Sequence, residues 1–498
     1  MILRALRLPG STKPLDVRVD NGAIMDIAPH KSLRLHPGEE LVDLEGRTAV
    51  PGLWDEHVHM GMWAAHRRRI DLRSATSAEE VAVLMRDGEA SVSDDVVIGV
   101  GYQDGLWSTR QSLEIFDRFS GDRPWVAFSL DIHSCWLNSA ALRRFGRTSP
   151  DGSGVLVEHE AFAVGQAVDT VSDAVVDGWV AEAEAEALSR GVVGLVDFDL
   201  TDTVTAWQRR RAAAQGPVIQ VEAAVYPPHL ESVIERGLRS GDVLATGVRL
   251  GPLKLITDGS LNTRTAYCLE PYRGTTGNER GVMNYPLDEM RALVQKATEA
   301  GIHSALHAIG DRANRIVLDL FDELGVPGRI EHAQLIDEGD LARFAEQRVT
   351  ASIQPHHAVD DRDVADRYWG DRTQRAFPIA TLLGHGTRVV FGSDAPVAPL
   401  DPWVQIAAAV TRTGDDRPPW HPEQRISLTD ALRCSTRSHI EVGEPADLVI
   451  VDADPWWLES ALEKDPSALA QALRGLPVSL TMIGGNVAYS TLDRVETG

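Results

Sequence analysis

The residues best suited to chemistry are histidines, a lysine and an aspartate, each placed where an apolar run meets a polar segment. They are His57, His59, Lys254, His307, His332 and Asp394. In His57-Val-His59, alternate residues of a strand point to one face, so both imidazoles can reach one ion. Imidazoles and carboxylates are the usual ligands of Zn²⁺ and related divalent ions. One histidine alone is more simply a packing or capping residue, but the whole set predicts a metal site.

Lys254 stands out because the chain uses lysine so rarely, with 5 lysines against 44 arginines. It lies inside the apolar run 248–258, where a charged amine is costly unless it is paired or neutralised. An amine can shift its pKa and react, whereas a guanidinium cannot. One hypothesis is a carboxylated lysine that bridges two metal ions. The alternative is a buried lysine paired with Asp258 or Glu222.

Eight short apolar runs would position these residues, and helix-like stretches separate most of them. This rhythm predicts an α/β chain folded as a (β/α)₈ TIM-type barrel, in which the working residues gather at the carboxyl ends of the strands. The predicted strands are 53–59, 192–200, 217–226, 248–258, 303–310, 329–334, 350–357 and 388–396.

The gap between the first two runs is too long for one βα unit, so residues 62–185 are predicted to form an insertion that acts as a lid or wall over the barrel mouth. The two ends of the chain are rich in short strands. We expect residues 1–50 and 437–498 to form one small β-sandwich domain and residues 51–436 to form the barrel domain.

Composition narrows the class of protein. The 498 residues are 43% hydrophobic and 24% charged, as in ordinary globular enzymes. A formal net charge of −24 argues against nucleic acid and anionic membrane surfaces as partners. No apolar stretch is long enough to span a membrane and no signal peptide is evident. Three cysteines without metal-type spacing are typical of a reduced, cytoplasmic protein. A small-molecule substrate is the expected partner, and a homo-oligomer such as a dimer is an open expectation.

Several phrases resemble the amidohydrolase superfamily, and more narrowly its family 3 branch, which includes N-substituted formamide deformylases. The resemblance spans nearly the whole chain and implies the same barrel with a small β-sandwich. The phrases begin at Pro51 (PGLWDEHVH), His133 (HSCWLNSAAL), Leu253 (LKLITDGSL), His307 (HAIGDRA), Arg329 (RIEHAQ), Ser352 (SIQPHH), Phe391 (FGSDAPV) and Gly443 (GEPADLVIVD).

The resemblance also implies roles for single residues. His57, His59, His307 and His332 would be metal ligands, Lys254 the bridging carboxylated lysine, and Asp394 a ligand and general base. Glu158 is a second-choice ligand, with a solvated loop carboxylate as its alternative. The cofactor would be one or two divalent ions, zinc first, with Mn, Fe or Co open. One departure is the acidic pair Asp55-Glu56 before the histidines, where relatives often have a small or less acidic residue.

Other residues near the predicted strand ends are candidates for binding substrate or stabilising an oxyanion. His133 and Asp258 are the catalytic candidates, although each of these residues taken alone is more simply explained as a supporting or structural residue. The tryptophans would favour an aromatic or apolar substrate if they face the barrel mouth, although most tryptophans simply pack. The substrate-binding candidates are Trp63, Trp107, Trp136, Arg264, Gln354 and His357.

Together these features predict hydrolysis of a C–N bond in an amide, N-formyl, carbamate or cyclic amide, by water that a metal ion activates. Asp394 would act as general base and then acid. A metal-dependent deaminase or a lactone or ester hydrolase uses the same groups and stays an alternative. A non-catalytic metal scaffold is a remote one, because structural zinc sites are usually closed and rich in cysteine.

Overall fold

The computed structural model describes residues 1–9, 11, 13–90, 92, 95–168, 171–212, 214, 216–275 and 279–492. Residues 493–498 of the predicted small domain therefore lie outside the described residues, as do 91, 93, 94, 169 and 170 of the predicted insertion. The chain opens with short strands: β1 (Ile2–Leu6), β2 (Leu15–Asp20), β3 (Ala23–Pro29), β4 (Leu41–Asp43) and β5 (Thr48–Pro51).

A first barrel strand follows, and after it a long segment with its own helices and strands. The elements are β6 (Leu53–Val58), α1 (Met60–His66), β7 (Ile70–Asp71), α2 (Ala78–Glu89), β8 (Val97–Tyr102), α3 (Leu113–Ser120), β9 (Trp125–Ser129), β10 (Ser134–Leu137), α4 (Ser139–Phe145), β11 (Val155–Val157), α5 (His159–Val168) and α6 (Asp173–Ser189).

Strands and helices then alternate along most of the remaining chain. They are β12 (Val192–Asp197), α7 (Thr203–Ala212), β13 (Gln220–Val225), α8 (Pro227–Glu235), β14 (Val243–Ala245), β15 (Val248–Ile256), α9 (Leu287–Glu299), β16 (Ser304–Ala308), α10 (Asp311–Leu324), β17 (Arg329–His332), α11 (Leu341–Glu346), β18 (Thr350–Ile353), α12 (His357–Asp360), α13 (Arg362–Tyr368), α14 (Ile379–Gly384), β19 (Val389–Phe391), α15 (Pro402–Thr411), α16 (Leu428–Cys434), β20 (Leu448–Val451), α17 (Pro455–Ala461), α18 (Pro466–Arg474), β21 (Val478–Ile483) and β22 (Asn486–Ser490). Short 3₁₀ helices cover Glu338–Asp340, Gly370–Arg375 and Pro422–Gln424.

Eight strands form a parallel barrel in the order β6, β12, β13, β15, β16, β17, β18, β19. The pairing sets the register of the site: Lys254 lies opposite Ala305, and His307 opposite Glu331. The first and last strands meet at a parallel bridge between Val58 and Ala395, so the barrel is nearly closed. All eight strands fall on the predicted runs, and the predicted (β/α)₈ barrel is confirmed. The near-continuous apolar character of β12 and β19 follows from burial on both faces of a parallel sheet.

The segment between β6 and β12 builds a sheet of its own, in the order β11, β10, β9, β8, β7. Phe116, Trp125 and Trp136 fill its core. Residues 130–133, after β9, and Phe162 on α5 line a cavity at the barrel mouth together with barrel residues. This placement suits a wall over the mouth, and the limits 62–185 stay a prediction.

Two small sheets use strands from the ends of the chain. One has the order β3, β2, β1, β4, and the other has the order β22, β21, β20, β5. In the second, β5 pairs antiparallel with β20, so Val50 lies opposite Val449. Leu3, Ala49 and Leu480 share one apolar cluster that joins the two sheets. The domain division at 50/51 and 436/437 stays a prediction. Among the described helices, none has the length and apolarity needed to cross a bilayer.

Candidate active site and metal centre

Asp394 is the centre of the candidate site, just beyond the end of β19. Its Oδ1 lies 3.2 Å from His59 Nε2 and 3.5 Å from His57 Nε2. Its Oδ2 lies 3.8 Å from His357 Nε2. Two buried groups of potential ligands therefore share this carboxylate: His57, His59 and Asp394, and His332, His357 and Asp394, with the ligand atoms of each group within 4.8 Å of one another.

The remaining imidazoles lie against this cluster. The ring centroids of His57 and His332 are 5.0 Å apart, and those of His307 and His332 are 4.5 Å apart. Because β6, β16, β17 and β19 end at the same face of the barrel, histidines distant in sequence meet there. The structure thus brings together His57, His59, His307, His332 and Asp394, as the sequence analysis expects.

Carboxylates hold the outer nitrogens of two histidines. His57 Nδ1 lies 2.6 Å from Glu331 Oε2, and His307 Nδ1 lies 2.9 Å from Asp258 Oδ1. This arrangement keeps the proton on Nδ1 and leaves the Nε2 lone pair for another partner. Both Nε2 atoms are buried and have no hydrogen-bond partner among the described residues. Burial also lowers the pKa of His57 to about 3, so this imidazole is in its neutral, metal-binding form. The donor set therefore fits a divalent ion.

Lys254 reaches the same space from β15. Its side chain is buried, and its Nζ lies 4.5 Å from the centroid of the Phe198 ring, with no hydrogen-bond partner among the described residues. Burial lowers the pKa of Lys254 to about 8. The alternative partners are engaged elsewhere, since Asp258 binds His307 and Glu222 binds Arg437. A buried amine with a lowered pKa is suited to carbamate formation.

Two of the candidate site residues have strained backbone conformations. His332 has a φ of 74° and Asp394 a φ of 57°, in the left-handed region that side chains avoid. Such strain persists only where the surrounding structure enforces it, and it clusters at functional sites. Asp55 supplies part of that enforcement, since it accepts from the backbone N–H groups of Ser393 and His57.

A family model described as the amidohydrolase family matches residues 40–489. The chain belongs to this family. The amidohydrolase is 28% identical to the protein LONG AFTER FAR-RED 3 of Arabidopsis thaliana, over 95% of this chain and 88% of that protein. It is 23% identical to the N-substituted formamide deformylase of Arthrobacter pascens, over 88% of this chain and 90% of that enzyme. An uncharacterized metal-dependent hydrolase from Pyrococcus furiosus has a similar crystal structure, with a TM-score of 0.72, 25% identity and coverage of 91% of this chain and 99% of that one.

The predicted resemblance is therefore confirmed, and so is the enzyme class. The amidohydrolase is a metal-dependent hydrolase acting on carbon–nitrogen bonds. Its metal dependence agrees with the buried His/Asp groups around Asp394.

The two catalytic candidates besides Asp394 occupy different positions. His133 lines the cavity, and its Nδ1 lies 2.9 Å from Glu158 Oε2. Burial disfavours its charged form, but the Glu158 carboxylate outweighs burial and raises the pKa of His133 to about 9. Asp258 is instead an anchor: besides His307 it accepts from the backbone N–H groups of Tyr267 and Gly310. The structure places Glu158 on His133 and Thr265, outside the two groups of potential ligands.

The substrate-binding candidates are only partly brought together. His357 lines the cavity and is also a potential ligand, a role the sequence analysis did not assign. Gln354 is buried, and Trp63 packs against an apolar cluster beside the barrel. Arg264 and Trp107 line a separate cavity. Trp136 is fully buried, and its ring centroid lies 3.6 Å from that of Phe116. This large ring at the centre of the inserted sheet fills the core of that sheet and does not line the cavity at Asp394.

The sequence analysis did not predict the network of ion pairs that lies beneath the site. Arg329 binds Glu331 and Glu56, and Arg437 binds Glu56 and Glu222. Arg329 and His57 outweigh burial and hold the pKa of Glu331 well below its ordinary value. The network explains the acidic Glu56, which points to two guanidinium groups. The signal in the sequence was the pair Arg329 and Glu331 inside a buried strand, where charges need partners.

Proposed function

We propose that the amidohydrolase cleaves the C–N bond of an amide, N-formyl, carbamate or cyclic amide group in a small molecule with an aromatic or apolar substituent. The observation that carries the proposal is the Asp394 carboxylate, which lies within 3.5 Å of both His57 and His59. The similarity to an N-substituted formamide deformylase supports the N-formyl group within this class.

His57, His59, His307, His332 and Asp394 would hold one or two divalent ions, with zinc as the first choice and Mn, Fe or Co as alternatives. His357 is a further potential ligand. Lys254 would bridge two ions after its neutral amine adds to CO₂, forming a carbamate and releasing one proton. When bound, a divalent ion lowers the pKa of water from about 15.7 to about 7 and polarises a carbonyl.

The chain's own residues handle the protons. Burial alone would favour a neutral Asp394, but His57 and His59 hold the pKa of this carboxyl well below its ordinary value. Asp394 is therefore ionised at neutral pH and accepts the proton of the attacking water. It then returns that proton to the leaving nitrogen. The His133 imidazolium lines the same cavity and can donate a hydrogen bond to the developing oxyanion.

The test combines metal analysis with product identification on the full-length protein. We expect a stoichiometric divalent metal and turnover within a panel of C–N substrates. Formamides and other amides should release an amine with formate or another carboxylate, carbamates an amine with an alcohol and bicarbonate, and lactams should open to the amino acid. Release of ammonia from an amino-heterocycle, with no turnover of the panel, would instead assign a deaminase. Firmly bound metal with no turnover of any amide, ester or amine would contradict the proposal and favour a scaffold.

A further inference from the structure

The cavity at the metal ligands is small. It has a volume of about 70 Å³ and is lined by the candidate ligands together with Ile132, Phe162 and Leu200. Binding sites for whole small molecules usually measure about 300–1,000 Å³. The reacting amide group alone therefore fits beside Asp394, and the rest of a substrate needs room elsewhere.

A second cavity of about 450 Å³ adjoins the first. It lies between α1, α5, α6 and α7 and the strands β8 and β9 of the inserted sheet. Ile132, Phe162 and Leu200 line both cavities, so these three side chains form the boundary between them. Its walls are largely apolar, with Val100, Phe128, Ala161, Val176 and Trp179 among them.

Several of the charged residues in its lining already have partners. Arg209 and Arg210 bind Asp177 at 2.7 and 2.9 Å. Asp202 accepts from Thr205. Because these charged groups already have partners and most of the lining is apolar, an uncharged apolar group is the occupant that the second cavity favours.

Another large cavity is a poor alternative. It has a volume of about 1060 Å³ and contains Arg264, Trp107 and Asp104. Within the described part of the chain, it shares no lining residue with the cavity at the ligands. A substrate held beside Asp394 has its direct continuation in the second cavity.

We propose that the second cavity binds the apolar substituent of the substrate, an aryl-alkyl group or an alkyl chain of about six carbons or more, while the amide lies beside Asp394. The inference rests on the proposed hydrolysis and deepens it by assigning the substrate class. Each methylene transferred from water to this cavity contributes about fourfold to kcat/KM.

Gly165 on α5 offers a direct test, because it lines the second cavity and an added Cβ would meet only Phe128 Cε1, at 3.8 Å. A Gly165→Leu variant keeps the helix and fills the cavity. The matched control is Gly178→Leu on α6, an exposed helical glycine with nothing within 4 Å of its added Cβ. Val176→Phe fills the same space from the opposite wall if Gly165→Leu fails to fold.

The substrates are a series of N-alkylformamides from N-methyl to N-octyl and an N-(3-phenylpropyl) member. We expect kcat/KM of the wild type to rise with chain length. Gly165→Leu should lower kcat/KM for the long members at least tenfold and leave N-methylformamide unchanged, while Gly178→Leu matches the wild type. Equal losses for short and long members, or none for either, would overturn the inference.

A binding measurement separates the two proposals. Calorimetry with N-octylformamide should show weaker binding to Gly165→Leu than to Gly178→Leu, whether or not the amide is cleaved. Binding without turnover would retain the pocket and reject the amide chemistry. Turnover with equal affinity for both variants would retain the chemistry and reject the pocket.

Discussion

In the proposed mechanism, the Asp394 side chain both binds metal and accepts the proton of the attacking water. Its two oxygens face different imidazoles, with His57 and His59 near Oδ1 and His357 near Oδ2. Its φ of 57° lies in the left-handed region. An amide side chain would keep the size of this group and lose its capacity to accept a proton at neutral pH.

We therefore expect Asp394→Asn to lower kcat by about 10²–10⁴-fold, the usual contribution of a general acid–base. The metal should largely stay, because the histidines remain. Steady-state kinetics and metal analysis on the same sample measure kcat and the metal content together. The control is Asp361→Asn, a carboxylate in the same cavity that binds Gln334. Wild-type turnover in Asp394→Asn would contradict the assignment of the base.

Lys254→Ala should lower the metal content of the purified protein, because the proposed bridging carbamate can no longer form. Short carboxylates such as acetate or propionate in the buffer should restore part of the metal and of the activity. Lys296→Ala is the control, since that exposed lysine only pairs with Glu231. Full metal content without rescue would remove the bridging role.

The barrel strands explain why the sequence predicts so much of this site. In a run such as 303–310, the apolar residues Ala305 and Leu306 directly precede His307, and the carboxyl ends of barrel strands meet at one face. The positions of the tryptophans could not be predicted in this way, because their neighbours come from other segments of the chain. Trp136 packs on Phe116, and no local sequence pattern indicates this contact. Arg437, Glu56 and Glu331 likewise find partners only once the barrel closes.

The buried carboxylate of Asp16 stabilises the small sheet of β1, β2, β3 and β4 through several hydrogen bonds. Asp16 accepts from the backbone N–H groups of Ala5 and Lys31 and from His30 Nδ1. Ala5, within β1, and Lys31, after β3, both have positive φ, so Asp16 bonds two strained backbone positions at once. Burial opposes the charge, but these hydrogen bonds outweigh it and lower the pKa of Asp16 below its ordinary 3.8.

Replacing Asp16 with Asn should destabilise the protein by about 1–3 kcal/mol at pH 7, since one acceptor oxygen becomes a donor. The carboxylate's contribution is present above pH 3.8 and is lost as the pH falls through the lower pKa of the folded state. The difference between wild type and variant in urea unfolding should therefore shrink below pH 4. Asp26→Asn, on an exposed face of β3, is the control. A difference that grows on acidification would refute the sign.

At the scale of the whole molecule, a chain of hydrogen bonds and ion pairs leads from the candidate site to the opposite end of the barrel. It runs from His57 through Glu331, Arg329 and Glu56 to Arg437, which lies after the last barrel helix. Arg437 also lies over the Trp54 ring, at 3.7 Å from its centroid. The site is thus supported from the opposite end of the barrel, through ion pairs rather than through apolar packing alone.

Arg437→Met should cost about 2–3 kcal/mol of unfolding free energy. This is less than the roughly 3–5 kcal/mol for breaking a fully buried pair, because the Arg437 side chain is 24% exposed and Arg329 still binds Glu56. Urea titration measures the loss. Arg433→Met, an exposed arginine paired with Asp430, should change little. Equal effects of the two substitutions would show that the buried network adds nothing.

His57 and Asp394 are more than three hundred residues apart in the sequence, so the ribosome makes them at different times. Translation proceeds at about 5–20 residues per second, so the early imidazoles leave the ribosome tens of seconds before their carboxylate exists. The complete candidate site can then form only after residue 394 has been made. A product released early, short of residue 394, would carry histidines that attract cations and perform no hydrolysis.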